Sequence, residues 1–132
     1  MKAYQKLIDT HPASPLVENA YYRLGFVAYG KEEYSDAISY LSTALKKFSK
    51  SSFRGEAQYF IGESFYKQGD LAKAIRAYEI IAGQTGHDFA DDAQYSMGWA
   101  YFDQKNYGNA AKAFQQVAAM SSDEKLVPSA LF

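Results

Sequence analysis

Three glycines, Gly25, Gly62 and Gly98, stand 37 and 36 residues apart, and their surroundings repeat with them. The same two steps link Tyr34, Leu71 and Tyr107, then Ala37, Ala74 and Ala110, then Leu41, Tyr78 and Phe114. Longer series run Leu16, Phe53, Phe89, Leu126 and Ala20, Ala57, Ala93, Ala130. Self-similarity at this period restricts the chain to a stacked array. A unit of this size cannot bury its apolar face alone and must lay it on the next copy. A glycine inside a helix costs about 1 kcal/mol against alanine. Meeting that cost three times at one register implies close helix packing there. The alanine that opens the following apolar stripe (Ala37, Ala74, Ala110) is expected to face the glycine.

Each unit reads as two helices. In residues 57–82, Ile61, Gly62 and Phe65 recur at helical spacing and Gly69-Asp70 interrupts them. Asp70 is a good N-cap for the next helix, where Leu71, Ala74, Ile75 and Tyr78 share one face. Extended along the chain, the pattern predicts helices over 16–30, 34–48, 53–67, 71–82, 89–102 and 107–120. The expected division is a single array. Residues 1–13 form the second helix of a preceding repeat, with Tyr4, Leu7 and Ile8 in its packing positions. Residues 14–50, 51–86 and 87–122 form three complete repeats, and 123–132 start a fourth. The chain thus reads as a segment of a longer array. The fold class is all-α: a right-handed solenoid of antiparallel helix pairs.

The repeated positions are specific. They are Leu24-Gly25, Tyr34, Ala37, Leu41 and Ala44; Ile61-Gly62, Phe65, Gly69, Leu71, Ala74 and Tyr78; and Met97-Gly98, Tyr101, Tyr107, Ala110 and Phe114. In these small and large packing positions the chain resembles the tetratricopeptide repeat family over almost its whole length. It departs from the family in two places. The aromatic expected three residues before the Leu-Gly pair is Tyr21 in the first unit but Gln58 and Gln94 in the others. The closing proline is absent from all three complete units and appears only as Pro12, after the leading helix. The family period is about 34 residues, and the extra residues here fall around 49–52 and 83–86. This long-period form is similar to repeats in bacterial envelope proteins of the Tol-Pal coordinator and outer-membrane assembly lipoprotein type. The resemblance implies a protein-binding scaffold and leans toward the bacterial periplasm or cell envelope.

Composition removes several function classes. The chain has 132 residues, 48% hydrophobic and 22% charged, with a net charge of -1. The near-zero charge argues against a nucleic-acid footprint. No apolar run approaches the roughly 20 residues of a membrane span, so no direct membrane insertion is expected. There is no cysteine, which removes disulfides and thiolate metal sites. His11 and His87 are the only histidines, and both fall in linkers. His87, Asp88, Asp91 and Asp92 read as helix-start chemistry, a cap with two carboxylates at the positive end of the dipole, rather than as metal ligands. No serine has a matching histidine and acid, and no glycine-rich phosphate loop is present. Neither an enzyme, a cofactor nor a metal is expected.

The resemblance places the first helix of each unit on the concave face. Register then assigns Tyr22, Phe26 and Tyr29 to that face in the first unit, Tyr59, Glu63 and Tyr66 in the second, and Tyr95, Trp99 and Phe102 in the third. Spacing by four and three keeps each set on one stripe. Tyr22, Tyr59 and Tyr95 are expected mainly to pack one helix against its neighbour, while the others are equally suited to a ligand surface. Glu56, Asp92, Lys67 and Asp103 flank the rings. The first helices are mostly acidic and the second mostly basic, through Lys46, Lys47, Lys73, Arg76 and Lys112. Such a groove favours basic or neutral peptides over anionic ones. The expected function is a protein–protein interaction scaffold docking a peptide or partner helix. The alternative is an oligomerisation segment stacking through apolar ends, with self-association at the C-terminal end through Leu131 and Phe132.

Overall fold

The computed structural model describes residues 16–82 and 89–121. Among them are six helices: α1 (Leu16–Gly30), α2 (Tyr34–Lys47), α3 (Arg54–Lys67), α4 (Leu71–Ala82), α5 (Ala90–Asp103) and α6 (Tyr107–Ser121). They form three antiparallel hairpins, and the described residues contain no strand. The fold is an all-α helical-repeat solenoid. The helix expected over 1–13, the linker at 83–86, the Asp88 cap and the partial unit at 123–132 lie outside the described residues.

One turn is used three times. Glu32, Gly69 and Lys105 take the left-handed conformation, at φ 63°, 83° and 65°. Each donates its N–H to the carbonyl three residues back, at Tyr29, Tyr66 and Phe102. The following residues, Glu33, Asp70 and Asn106, donate theirs to Ala28, Phe65 and Tyr101. This is the paired closure of a Schellman end. The residue after the left-handed position is also the N-cap of the next helix. Asp70 accepts from the Lys73 amide at 3.2 Å and Asn106 from the Asn109 amide at 3.4 Å, while Glu33 makes no side-chain cap. Using one residue both to close a helix and to cap the next keeps the hairpin as short as the chain allows.

The glycines lie at close approaches, and the nearest side chain at each is the large residue one turn beyond the alanine. A Cβ built on Gly25 would sit 2.3 Å from Leu41 Cδ2, on Gly62 2.6 Å from Tyr78 Cε1, and on Gly98 2.6 Å from Phe114 Cε1. The glycine admits the large residue of the facing helix, whose side chain is what a Cβ would meet first in all three hairpins. Ala37 and Ala74 are fully buried and Ala110 nearly so, one turn nearer the hairpin's closed end.

The expected helix ends shift by one residue at three phenylalanines. Phe48 closes α2, whereas Phe53 and Phe89 precede α3 and α5 as caps. The Phe53 and Phe89 carbonyls accept the Ala57 and Ala93 amides, at 2.8 and 2.9 Å. Being off the helix frees their rings to fill the gap between hairpins. Phe53 packs on Tyr22 and Phe26 of α1, and Phe89 stacks on Tyr59 of α3.

Each helix packs on the next, and α3 also touches α1 and α5. No comparable contact joins α2 to α4 or α4 to α6. The first helices therefore form a closed inner layer and the second helices splay, so the array curves toward α1, α3 and α5. The core runs between the layers. One section gathers Tyr22, Leu41, Ala44, Ala57 and Ile61; the next gathers Ile75, Tyr78, Ile81, Ala93 and Met97.

Candidate functional site

The helical repeat carries positions four and three apart round to the same side. The three sets expected from the sequence accordingly lie on α1, α3 and α5, but their surroundings differ. Tyr22 is fully buried, and its hydroxyl donates to the Ala44 and Phe48 carbonyls at 3.3 and 3.1 Å. It ties α1 to the end of α2, the packing role expected for this register, and being fully buried it leaves the set of candidate binding residues. Phe53 and the end of α2 cover it completely. At the same register Tyr59 is half-buried between Tyr78 and Phe89, while Tyr95 is 39% exposed over Phe114 and Trp99.

The remaining rings are partly accessible. Phe26 and Tyr29 are half-buried, as are Tyr66 and Trp99, and Phe102 is 44% exposed. Two ring clusters result. One spans α1 and α3 through Phe26, Tyr29 and Phe60. The other lies on α5 and α6, where Trp99 sits edge-on to Tyr95, Phe102 and Phe114. No ring contact among the described residues joins the two clusters; Tyr66 of α3 spans the interval by donating its hydroxyl to the Asp103 carboxylate of α5.

Glu63 is the electrostatic centre of this layer. It is half-buried and accepts the hydroxyl of the fully buried Tyr78. Burial first, and then the neighbouring Glu63 carboxylate, pushes the Tyr29 phenol up to about 12. Tyr66 is likewise pushed up to about 12, by burial, then by Asp103 and Glu63. Tyr59 and Tyr78 move in the same direction, again with burial the largest cause. Asp92, in the first turn of α5, is raised by burial, then by Asp91 and Glu63. Every shift favours the neutral form, as expected where carboxylates share a partly desolvated face. The charges that act on these phenols are carboxylates, so a cation or a set of donors from outside would meet carboxylates and ring faces there.

Sequence reasoning missed Phe60. It lies one residue off the Tyr59 stripe, yet its ring reaches Tyr29 at 4.8 Å and Phe26 at 5.7 Å between centroids. Its spacing of seven from Phe53, which also packs on Phe26, was the available signal. Tyr34 and Tyr107, read as packing positions, instead extend the face by touching Tyr29 and Phe102. The two glutamines that replace the expected aromatic have a shared role. Gln58 and Gln94 donate across the hairpin to the Ala77 and Ala113 carbonyls, at 3.2 and 3.4 Å. Tyr21 uses the same position to pack on Phe48. Among the described residues no three His, Cys, Asp or Glu side chains converge on a point as a metal would require, and no helix is long and apolar enough to cross a membrane.

The family model described as Tetratricopeptide repeat matches residues 22–89 and again 62–125, two overlapping stretches that together cover most of the chain. The chain belongs to the tetratricopeptide repeat family. Two Pseudomonas putida proteins, each named cell division coordinator CpoB, are 30% identical over 63 residues, 48% of this chain. The match spans 24% of their length, so this tetratricopeptide chain aligns with about a quarter of the curated relatives. Tetratricopeptide repeats mediate protein–protein interaction and bind proteins or peptides.

Proposed function

We propose that the chain is a non-catalytic scaffold whose inner layer docks a basic or neutral peptide, or one face of a partner helix. The observation that carries this reading is the group of partly accessible rings, Phe26, Tyr29, Tyr66, Trp99 and Phe102, carried on α1, α3 and α5, with Tyr29 and Tyr66 close enough to Glu63 to feel its charge. Tyrosine and tryptophan offer a large contact area with a polar tip and little conformational entropy to lose. Carboxylates at Glu63, Asp92 and Asp103 favour lysine and arginine side chains over acidic ones. The likeness to proteins named cell division coordinator and the resemblance to envelope repeats support a role for such a scaffold in bacterial cell division, in the periplasm or cell envelope.

Trp99 is the only tryptophan, so its fluorescence reports this face directly. Titration with a lysine-rich helical peptide is expected to shift the emission, and added salt is expected to weaken binding because exposed charges are screened within about 10 Å at 0.1 M. Trp99→Ala, followed by a label on the peptide, should weaken binding by roughly tenfold or more, as a central aromatic anchor does, and leave self-association intact. A peptide of glutamates bound more tightly than the lysine peptide would reverse the assigned sign of the face. Unchanged affinity in Trp99→Ala would remove the face from the function.

A further inference from the structure

We propose that α2, α3 and α4 build a second docking site, on the splayed outer side of the array, for a partner segment in which a large apolar side chain is flanked by carboxylates. The site follows from the curvature. Because α1 packs on α3 while α2 and α4 do not pack comparably on each other, a cleft opens between α2 and α4 above α3. Its volume is about 460 Å³, toward the lower end of the roughly 300–1,000 Å³ typical of ligand pockets. That is room for anchoring side chains rather than for a whole helix. Ile61 and Phe65 of α3 form the floor, Leu45 of α2 one wall, and Ala77 and Ile80 of α4 the other. Ile80 stands at the lip, 58% exposed.

The rim identifies the occupant by charge. Lys73 and Arg76 of α4 line the cleft on the same stripe as Ile80. Lys73 holds Asp70 only at 3.8 Å and lies over the Phe65 ring, 5.8 Å from its centre. Arg76 is exposed and makes no ion pair among the described residues. Glu79, the one carboxylate of α4, does not line the cleft, and its charge acts on Tyr101 of α5. An apolar floor beneath two cations selects an apolar anchor with acidic neighbours, the opposite chemistry to the inner layer.

The following interval shows that this is not a by-product of stacking. Between α4 and α6, Tyr101 replaces Phe65, Gln116 replaces Ile80, and Ala82 replaces Leu45. Glu79 stands there in the place of Ser42, close enough for its charge to act on Tyr101, and Asn109 stands in the place of Lys73, while Met97 and Lys112 keep the places of Ile61 and Arg76. The second interval thus loses the apolar lip and one of the two cations. Of the two intervals among the described residues, the first alone combines an apolar floor, an apolar lip and two cations at the rim. The proposal stands whether or not the inner layer binds a peptide.

The test is an amide chemical-shift titration of the full isotope-labelled chain with two capped hexapeptides, Asp-Glu-Leu-Phe-Glu-Asp and Lys-Lys-Leu-Phe-Lys-Lys. The acidic peptide is expected to move the amides of Leu45, Phe65, Arg76 and Ile80 and to leave Trp99 in place. Arg76→Glu should weaken it by roughly tenfold. Ile80→Ser should weaken it several-fold, whereas Gln116→Ser at the equivalent outer position should not. Arg76→Gln, isosteric enough to spare the fold, serves if the charge reversal does not fold. The proposal is overturned if the acidic peptide moves no cleft amide at millimolar concentration, if the basic peptide occupies the cleft as well as the acidic one, or if the shifts gather around Trp99 instead.

Discussion

Tyr22, Tyr59 and Tyr95 hold one position in three successive repeats and have three different surroundings: fully buried, half-buried and 39% exposed. The chemistry of the residue does not decide this; its cover does. Tyr22 lies under Phe53 and against the last carbonyls of α2, Tyr59 under Phe89, and Tyr95 beside Trp99. The glycines show the reverse, one environment at three places. Gly62 and Gly98 each receive a ring from the facing helix, and that ring is itself held, Tyr78 by Glu63 and Phe114 by Tyr95 and Trp99. Alanine there would gain about 1 kcal/mol of helix propensity but overpack a contact that cannot retreat, at about 1–3 kcal/mol. Gly62→Ala and Gly98→Ala are therefore expected to lower the urea midpoint. Gly108→Ala in α6 meets open space and is expected to hold or raise it. Equal midpoints for Gly98→Ala and Gly108→Ala would contradict the close approach.

At the scale of the element, the three hairpins share a turn but not its residue. Only Gly69 occupies its left-handed position without a Cβ; Glu32 and Lys105 adopt the same conformation against a penalty of about 1–2 kcal/mol. Lys105→Gly should stabilise the chain by about 0.5–1 kcal/mol, since part of that gain is offset by the greater backbone freedom of unfolded glycine. Gly69→Ala should destabilise it by about 1 kcal/mol. Thermal melts of the pair should move in opposite directions. A parallel shift would mean that the turn does not hold this conformation in solution. The helices themselves are tied across each hairpin by a side chain aimed at the partner's backbone. Tyr22, Gln58 and Gln94 all donate to carbonyls of the second helix. Two residue types that look unrelated in sequence thus meet the same requirement.

For the whole molecule, the tyrosines of the inner layer set an alkaline limit. Tyr29 and Tyr66 have phenols pushed up to about 12, and Tyr78 is raised as well, against an ordinary value of 10.0. Below pH 10 both folded and unfolded chains keep these phenols protonated, so stability is unaffected. Above it the unfolded chain loses protons that the folded chain retains, and stability falls as pH rises through the folded values. Denaturation midpoints should be level from neutral pH to about 10 and decline between about 10 and 12. Tyr78→Phe should soften that decline while destabilising the fold at neutral pH by about 1–3 kcal/mol, because Glu63 loses its donor. Stability level through pH 12, or tyrosinate absorbance rising before unfolding with an ordinary midpoint, would show that the phenols are not shielded as described.

The sequence by itself determined the period, the six described helices to within a residue or so at their ends, and the residues sharing each helical stripe. These follow from local spacing and from turn residues that act within a few positions. It also determined the family, since the repeated small and large positions are the packing code of one architecture. Tertiary structure alone decided what covers each stripe. Phe60, one residue off the expected line, enters the aromatic layer because α1 and α3 lie close enough for its ring to reach Tyr29. That the large residue of the facing helix comes nearest to each glycine shows only in the packing of the hairpin. The cleft beside Ile80 exists because the inner helices touch and the outer ones splay. Spacing along one chain says which side chains point the same way; how far the next hairpin is tilted, and so which of them it hides, is settled by packing between hairpins.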